Sequence, residues 1–295
     1  MNTDLTWLLR PTTTALCAAS ALRQRRELVD APLAEALAPA AAQLVLACQA
    51  AGADPAAVLA HLIPLSAEDV PPRMLAATAL AKSIGRQKAE PHVAPLAEAI
   101  RQLDVTLAAV RPRLADELLL RRDVIRQQWD ARGPGFLTTV ARLTDAAVVP
   151  ERADVLLVHP LLGGGGDACI VYNRVTLEAV LANPHAALPE VVRLGWLLIQ
   201  LNLELASLSE LIPPGRLPRI APLATLCVAL SAAAEVELAQ ADVQTAALAL
   251  QAWRVDSAPL TAGDLWGWWE TYLAARPSWP AALAALDRLA ERGTK

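Results

Sequence analysis

Val155-Leu-Leu-Val-His-Pro160, then Leu161-Leu-Gly-Gly-Gly-Gly166, then Asp167-Ala-Cys-Ile-Val-Tyr-Asn-Arg-Val-Thr-Leu-Glu178 is the only stretch of this chain with a strand-forming vocabulary. Val155 to Val158 is a short run of Val and Leu bounded by Asp154 and Pro160, which predicts a buried strand. Ala168 to Tyr172 and Val175 to Leu181 are two further strands, or one bent strand, with Asn173-Arg174 at the turn and Asn183-Pro184 closing the sheet. Leu188 to about Leu205 follows as a helix that is apolar on nearly every side and therefore central. Working outward, everything else has helical spacing. The chain is therefore expected to be mainly α with one small central sheet of two or three strands. A helical part covers residues 1–90, and an α+β part with C-terminal helices covers residues 91–295.

Helix boundaries come from Pro, Gly and capping side chains. Asp30-Ala-Pro32 and Asp54-Pro55 read as capped starts, with Pro where its missing N–H does no harm. Gly52 and Gly85 read as stops. Arg113 to Arg132 carries Leu114, Leu118, Leu119, Val124, Ile125 and Trp129 as a long amphipathic helix, and Gly133-Pro134-Gly135 is expected to end it.

Composition excludes several function classes. The formal net charge is −4, which provides no basic footprint for nucleic acid. Apolar runs are interrupted by Pro, Arg, Glu or Gln before about 18 residues, so no membrane-spanning helix is expected. The start of the chain has no basic leader, and a cytoplasmic location is the expectation. The four cysteines stand far apart with no C-x-x-C pair, which suits reduced thiols.

Four constellations invite chemistry. Gly163, Gly164, Gly165 and Gly166 follow a strand, and Gly163, Gly165 and Ala168 fit a loose G-x-G-x-x-A. A dinucleotide loop must open a helix, whereas a strand is expected next, so the reading is a flexible hairpin connection and no cofactor. His159 and Asp167 flank this loop and are placed to meet across it as a base and its orienting acid. Glu178 interrupts an apolar strand and must be paired if covered, with Arg193 and Arg174 as the nearest cations in sequence. Gly263-Asp-Leu-Trp-Gly-Trp-Trp269 places Trp266, Trp268 and Trp269 within about one helical turn. Trp266 and Trp269 share a face, so Trp268 is expected to stay partly exposed and mark a surface for a protein partner or self-association.

The segment Arg113 to Leu205 resembles zincin metallopeptidases in its order of elements: long helix, small sheet, buried helix. That resemblance implies an H-E-x-x-H helix, but the chain reads Arg193-Leu-Gly-Trp-Leu-Leu-Ile-Gln200 at that place. No catalytic residue or metal ligand carries over. The function expected is a non-catalytic interaction or scaffold protein, with a hydrolase, or a degenerate zincin-like fold lacking its metal site, as the alternative. An enzyme would need His159, Asp167, Glu178 or Arg193 to converge in a concave pocket.

Overall fold

The computed structural model describes residues 3–180, 185–213 and 215–292. Its elements, in chain order, are β1 (Asp4–Leu9), α1 (Pro11–Arg23), α2 (Ala31–Ala50), α3 (Pro55–Leu65), α4 (Pro72–Ile84), α5 (Arg86–Ala89), α6 (Val93–Val110), α7 (Leu114–Leu143), β2 (Arg152–Val158), β3 (Gly166–Cys169), β4 (Arg174–Glu178), α8 (Glu190–Leu198), α9 (Ala206–Ser209), α10 (Leu217–Glu235), α11 (Val243–Ala252), α12 (Ala262–Ala275) and α13 (Trp279–Arg292). The fold is mainly α with one small sheet, as the sequence predicts. Leu181, Asn183 and Pro184, expected at the close of the sheet, lie outside the described residues.

The sheet has four strands in the order β1-β2-β4-β3. Strands β1, β2 and β4 run parallel, and β3 pairs antiparallel with β4 at one edge. Strand β1 was not expected. Its sequence alternates Leu5, Trp7 and Leu9 with Asp4, Thr6 and Leu8, but it is too short and too isolated to be recognised without its partner, and Trp7 aligns with Val155 far along the chain. The expected Ala168–Tyr172 strand is shorter. It ends at Cys169, Ile170–Tyr172 forms a 3-10 turn, and Asn173 takes the left-handed conformation at φ 52° that reverses the chain into β4. Residues Val155 to Val158 are buried in succession. Side chains alternate across a strand, so both faces of the sheet are covered.

Helix α1 packs on β2, α7 on β1 and β2, and α8 on β3 and β4. The boundary expected near residue 90 does not match a break in packing. Helix α6, beyond that position, lies against α1, α2 and α4, and β1 belongs to the sheet of the second part. Two helices, α2 and α10, also have the length and hydropathy to cross a membrane, which corrects the expectation that interruptions would prevent it. In the fold, two-thirds of the apolar window of α10 is buried among its neighbours.

Helix α7 runs unbroken through Gly133-Pro134-Gly135, where a stop was expected. Two glycines and a proline cost a helix interior about 5 kcal/mol together, so packing must offset them. The Trp129 indole lies where a Cβ on Gly133 would sit, 2.5 Å from its ring carbon. One turn on, Phe136 lies 2.5 Å from the place of a Cβ on Gly195 in α8. Bare backbone therefore lets the Trp129 indole lie against its own helix and the Phe136 ring enter the seam between α7 and α8, and this packing overrides local propensity. The expected Leu188–Leu205 helix is correspondingly shorter, ending as α8 at Leu198.

Gly195→Ala should test that seam. The added methyl favours a helix by about 1 kcal/mol but collides with a fully buried ring, and overpacking of this kind costs about 1–3 kcal/mol. Urea denaturation is expected to show a net loss of stability, and an equal or raised midpoint would mean that the seam yields freely.

Candidate functional site

Parallel strands deliver their carboxyl ends to one side of a sheet, where open α/β folds usually bind ligands. Here Val158 and Glu178 end paired strands at that side, and the loop from His159 to Gly165 closes over them. The Glu178 side chain is buried. Its Oε1 accepts the Leu162 amide at 2.8 Å, and its Oε2 accepts the amides of Gly164 and Gly165 at 2.8 and 2.9 Å. Three main-chain N–H groups thus converge on one carboxylate, the arrangement by which loop amides hold phosphate and other anions. The loop that looks like an anion-binding loop does bind an anion, and the anion is part of the same chain.

The glycine run is closely packed, and it is not the expected hairpin connection, because the strands it joins, β2 and β3, are not neighbours in the sheet. Gly164 stands at φ 147°, and a Cβ there would meet Ala252 O at 2.9 Å and Arg193 Nη1 at 3.0 Å. At Gly166 a Cβ would meet Leu197 Cδ1 at 2.7 Å and the Thr176 carbonyl at 2.8 Å. After Gly165 the chain enters β3, not a helix, so the loop lacks the helix end that a dinucleotide requires.

Arg193 is placed beside Glu178, but not as the expected side-chain ion pair. Its Nη2 donates to the Glu178 carbonyl oxygen at 2.5 Å and to Glu190 Oε1 at 3.2 Å. The carboxylate does not need it as a direct partner, because backbone amides, which cannot be read from side-chain charge, already satisfy it. Arg174, the other expected cation, pairs with Asp154 at 2.9 Å and with Glu68. Glu190 Oε1 also accepts the Val180 amide at 2.7 Å, while Arg121 donates to the Val180 carbonyl. Burial pushes the Glu190 carboxyl up, against the pull of Arg193. Burial likewise lowers Arg193, opposed by Glu190 and Glu178.

His159 and Asp167 do not meet. His159 Nε2 lies 3.5 Å from Asp30 Oδ2, and Asp30 also pairs with Arg111. Asp30 caps α2 through the Leu33 amide at 3.2 Å, so the residue identified as a cap also holds the imidazole. Asp167 is exposed on the edge strand β3. The two flanks go separate ways: His159 turns inward to Asp30, while Asp167 faces outward on the edge strand. Cys169 offers no thiolate, because burial pushes its thiol well up. The cavity bordered by Gly163, Gly164, Glu190, Arg193 and Trp253 is about 20 Å³, room for one water. Among the described residues, no group of three His, Cys, Asp or Glu side chains is placed to hold a metal ion.

The tryptophans lie elsewhere, on α12, and their exposure is the reverse of the expected one. Trp268 is buried and its Nε1 donates to Ala282 O at 3.1 Å, Trp269 is buried with Nε1 on Ser231 Oγ at 2.8 Å, and Trp266 is the half-exposed one. Helix α12 has two covered sides: α10 receives Trp269, while α13 folds back over Trp268 and Tyr272. Among residues that sequence reasoning missed at the sheet end, Asp30, Arg111 and Glu190 carry charge. Only Asp30 had a visible signal, its capping position before Pro32. Neither the family models nor the curated proteins nor the solved structures compared with this chain match it.

Glu178→Ala should cost about 3–5 kcal/mol in denaturant unfolding, since it strands three buried amides and removes a charge beside Arg193. Added formate or acetate is expected to recover part of that loss in the variant and none in the parent. Recovery of nothing at high formate would show that the amides do not form an anion cradle.

Burial lowers His159, helped by the Arg111 charge and opposed by Asp30. Its folded pKa therefore lies below the ordinary 6.5, so its contribution to stability is complete above about pH 6.5 and falls as the pH drops through the folded value. His61 is shifted in the same direction by burial and Lys82. His159→Gln is expected to flatten, without abolishing, the loss of melting temperature between about pH 6.5 and 5. An unchanged slope would exclude a buried neutral imidazole at this position.

Proposed function

We propose that this chain is a non-catalytic interaction or scaffold protein of the cytoplasm, working without metal or cofactor and binding neither nucleic acid nor membrane. The observation that carries the proposal is the saturation of the glycine loop by Glu178. The donors that could have stabilised an oxyanion are already engaged, and the groups that could have served as base and acid sit apart: His159 with Asp30, Asp167 in solvent, Arg193 on a carbonyl. A hydrolytic site needs these roles within reach of one reacting atom. Binding instead falls to the surface of the C-terminal helices. There, a groove between α12 and α13 is lined by Gly263, Gly267, Trp268, Thr271, Ala285 and Leu289.

The second reading, a zincin-like fold without its metal, rests on one observation: α8 follows a sheet with an antiparallel edge strand and packs on β3 and β4. Within α8 every residue from Val191 to Leu198 is buried, and none supplies an imidazole.

The test is to capture partners from the native host by cross-linking and mass spectrometry, with the parent chain and Gly267→Leu as baits, alongside a panel of ester and peptide substrates. The expected result is a partner held by the parent and lost by the variant, with no turnover above background. Hydrolysis that disappears in His159→Gln or Arg193→Lys would overturn the non-catalytic reading.

A further inference from the structure

The first half of α7 carries a ridge that nothing in the described fold covers. Leu114, Leu118, Ile125 and Trp129 face the core. At 100° per residue, Asp116, Leu120, Asp123, Val124 and Gln127 fall on the opposite side. Leu120 is 70% exposed and Val124 54%, with Leu119 beside them at 42%. Elsewhere the exposed large apolar side chains of the described residues stand singly or in loops, and this is the one helix where they gather within two turns. Scattered apolar residues on a surface need no explanation, but an i, i+4 pair opposite a helix's core face is the shape of a docking ridge.

The groove between α12 and α13 has the complementary shape. Gly263, Gly267 and Thr271 recur every four residues along its α12 wall, and a Cβ on Gly267 would meet no atom within 4 Å. A bare wall of this kind lets another helix approach to about 8 Å between axes. Its α13 wall bears Ala285, Leu289 and the exposed Arg288. The nearby Asp264 carboxylate is turned back on Thr261, which it accepts in a capping box at 2.7 and 2.9 Å. Arg288 has no ion pair among the described residues, and neither has Asp116 at the head of the α7 ridge. An apolar ridge headed by an unpaired carboxylate thus matches an apolar groove edged by an unpaired guanidinium.

We infer that the groove between α12 and α13 receives the Asp116–Leu120–Val124 ridge of α7 from a second copy of the same chain. This rests on the interaction-protein reading and names its partner. Ridge and groove are different surfaces, so the contact is head-to-tail: each copy offers one of each, and assembly continues past two chains unless a ring closes. Asp116 meets Arg288 across the contact and sets the direction of the entering helix.

Two single variants leave the fold intact and block one surface each. Leu120→Arg charges an exposed position of the ridge, and Gly267→Leu fills the groove from a position with open space above it. Sedimentation velocity over micromolar to submillimolar concentration should show the parent growing beyond twice the chain mass, or stopping at a ring. Each variant alone should associate at least about tenfold more weakly without any fall in melting temperature, and Gly267→Leu should melt slightly higher because a helix-interior glycine is replaced where there is open space. Mixing the two variants in equal amounts should restore association, because each retains the surface its partner lacks, and the product should stop at two chains. Asp116→Arg should weaken assembly, and Arg288→Asp should rescue it in the mixture.

Continued self-association by either variant, or a mixture that stays monomeric, would overturn the head-to-tail contact. A parent that is monomeric throughout but loses a cross-linked host partner on Gly267→Leu sinks this inference and leaves the interaction reading standing. A monomeric parent with no such partner sinks both.

Discussion

A carboxylate buried at the end of a parallel strand needs either a cation or a set of donors, and in this protein the main chain supplies the donors. Glu178 sits where β4 ends, and the amides of Leu162, Gly164 and Gly165 bend around it. The consequences reach far. Side chains are excluded along the run: Gly164 and Gly166 lie against Ala252, Arg193 and Leu197, Gly165 lies against the Glu178 carboxylate, and Gly163 stands at φ 80°. The Arg193 guanidinium, freed from the carboxylate, ties α8 to the Glu178 carbonyl and braces Glu190 of the same helix, whose carboxylate accepts the Val180 amide. The edge strand β3 takes its register from the same closure, because the Glu178 amide donates to the Gly165 carbonyl at 3.2 Å. Charge, loop shape and sheet register are thus one arrangement. An internal anion at fixed position has an advantage over a bound one, since it loses no translational freedom when the loop closes.

Reading the chain by residue pattern recovers the helices where capping and periodicity agree. Asp30 and Asp54 both accept a main-chain amide at the start of a helix, and short polar side chains do this irrespective of tertiary context. The same reading stops at features decided by distant atoms. Gly133-Pro134-Gly135 is a breaker by every local rule, yet Trp129 lies on the bare backbone of Gly133, Val236 lies against Gly135, and Phe136 meets Gly195 of α8. Strand β1 has an alternating pattern but owes its existence to β2, and a six-residue strand is too short to announce itself. Glu178 was legible as a buried charge in need of compensation. The compensating groups were not, because every residue has an amide and sequence does not say which ones point inward.

The tryptophans show the same limit from another side. Helical geometry correctly separates Trp268 from Trp269, but inferring exposure from that separation assumes a helix with one covered face. Helix α12 has two, because α13 returns across it and Trp268 donates to a carbonyl of that helix. What is left open on α12, beside the half-exposed Trp266, is the groove wall where Gly263 and Gly267 present main chain. A surface made of missing side chains is nearly invisible to an eye searching for conspicuous ones.

The pairing of β1 with β2 brings the time course of synthesis into the picture. Thr3 Oγ1 donates to the Pro150 carbonyl across 147 residues, and Asp4 to Leu9 align with Arg152 to Leu157. A ribosome adds about 5–20 residues per second, so β1 leaves the exit tunnel many seconds before its partner exists. Helices α1 to α6 have their own contacts and can consolidate in that interval, while β1 waits as an unpaired edge. Closing so long a loop is entropically slow. The nascent chain therefore holds an exposed strand until residue 158 emerges, which makes that interval the period when chaperone protection of this protein matters most.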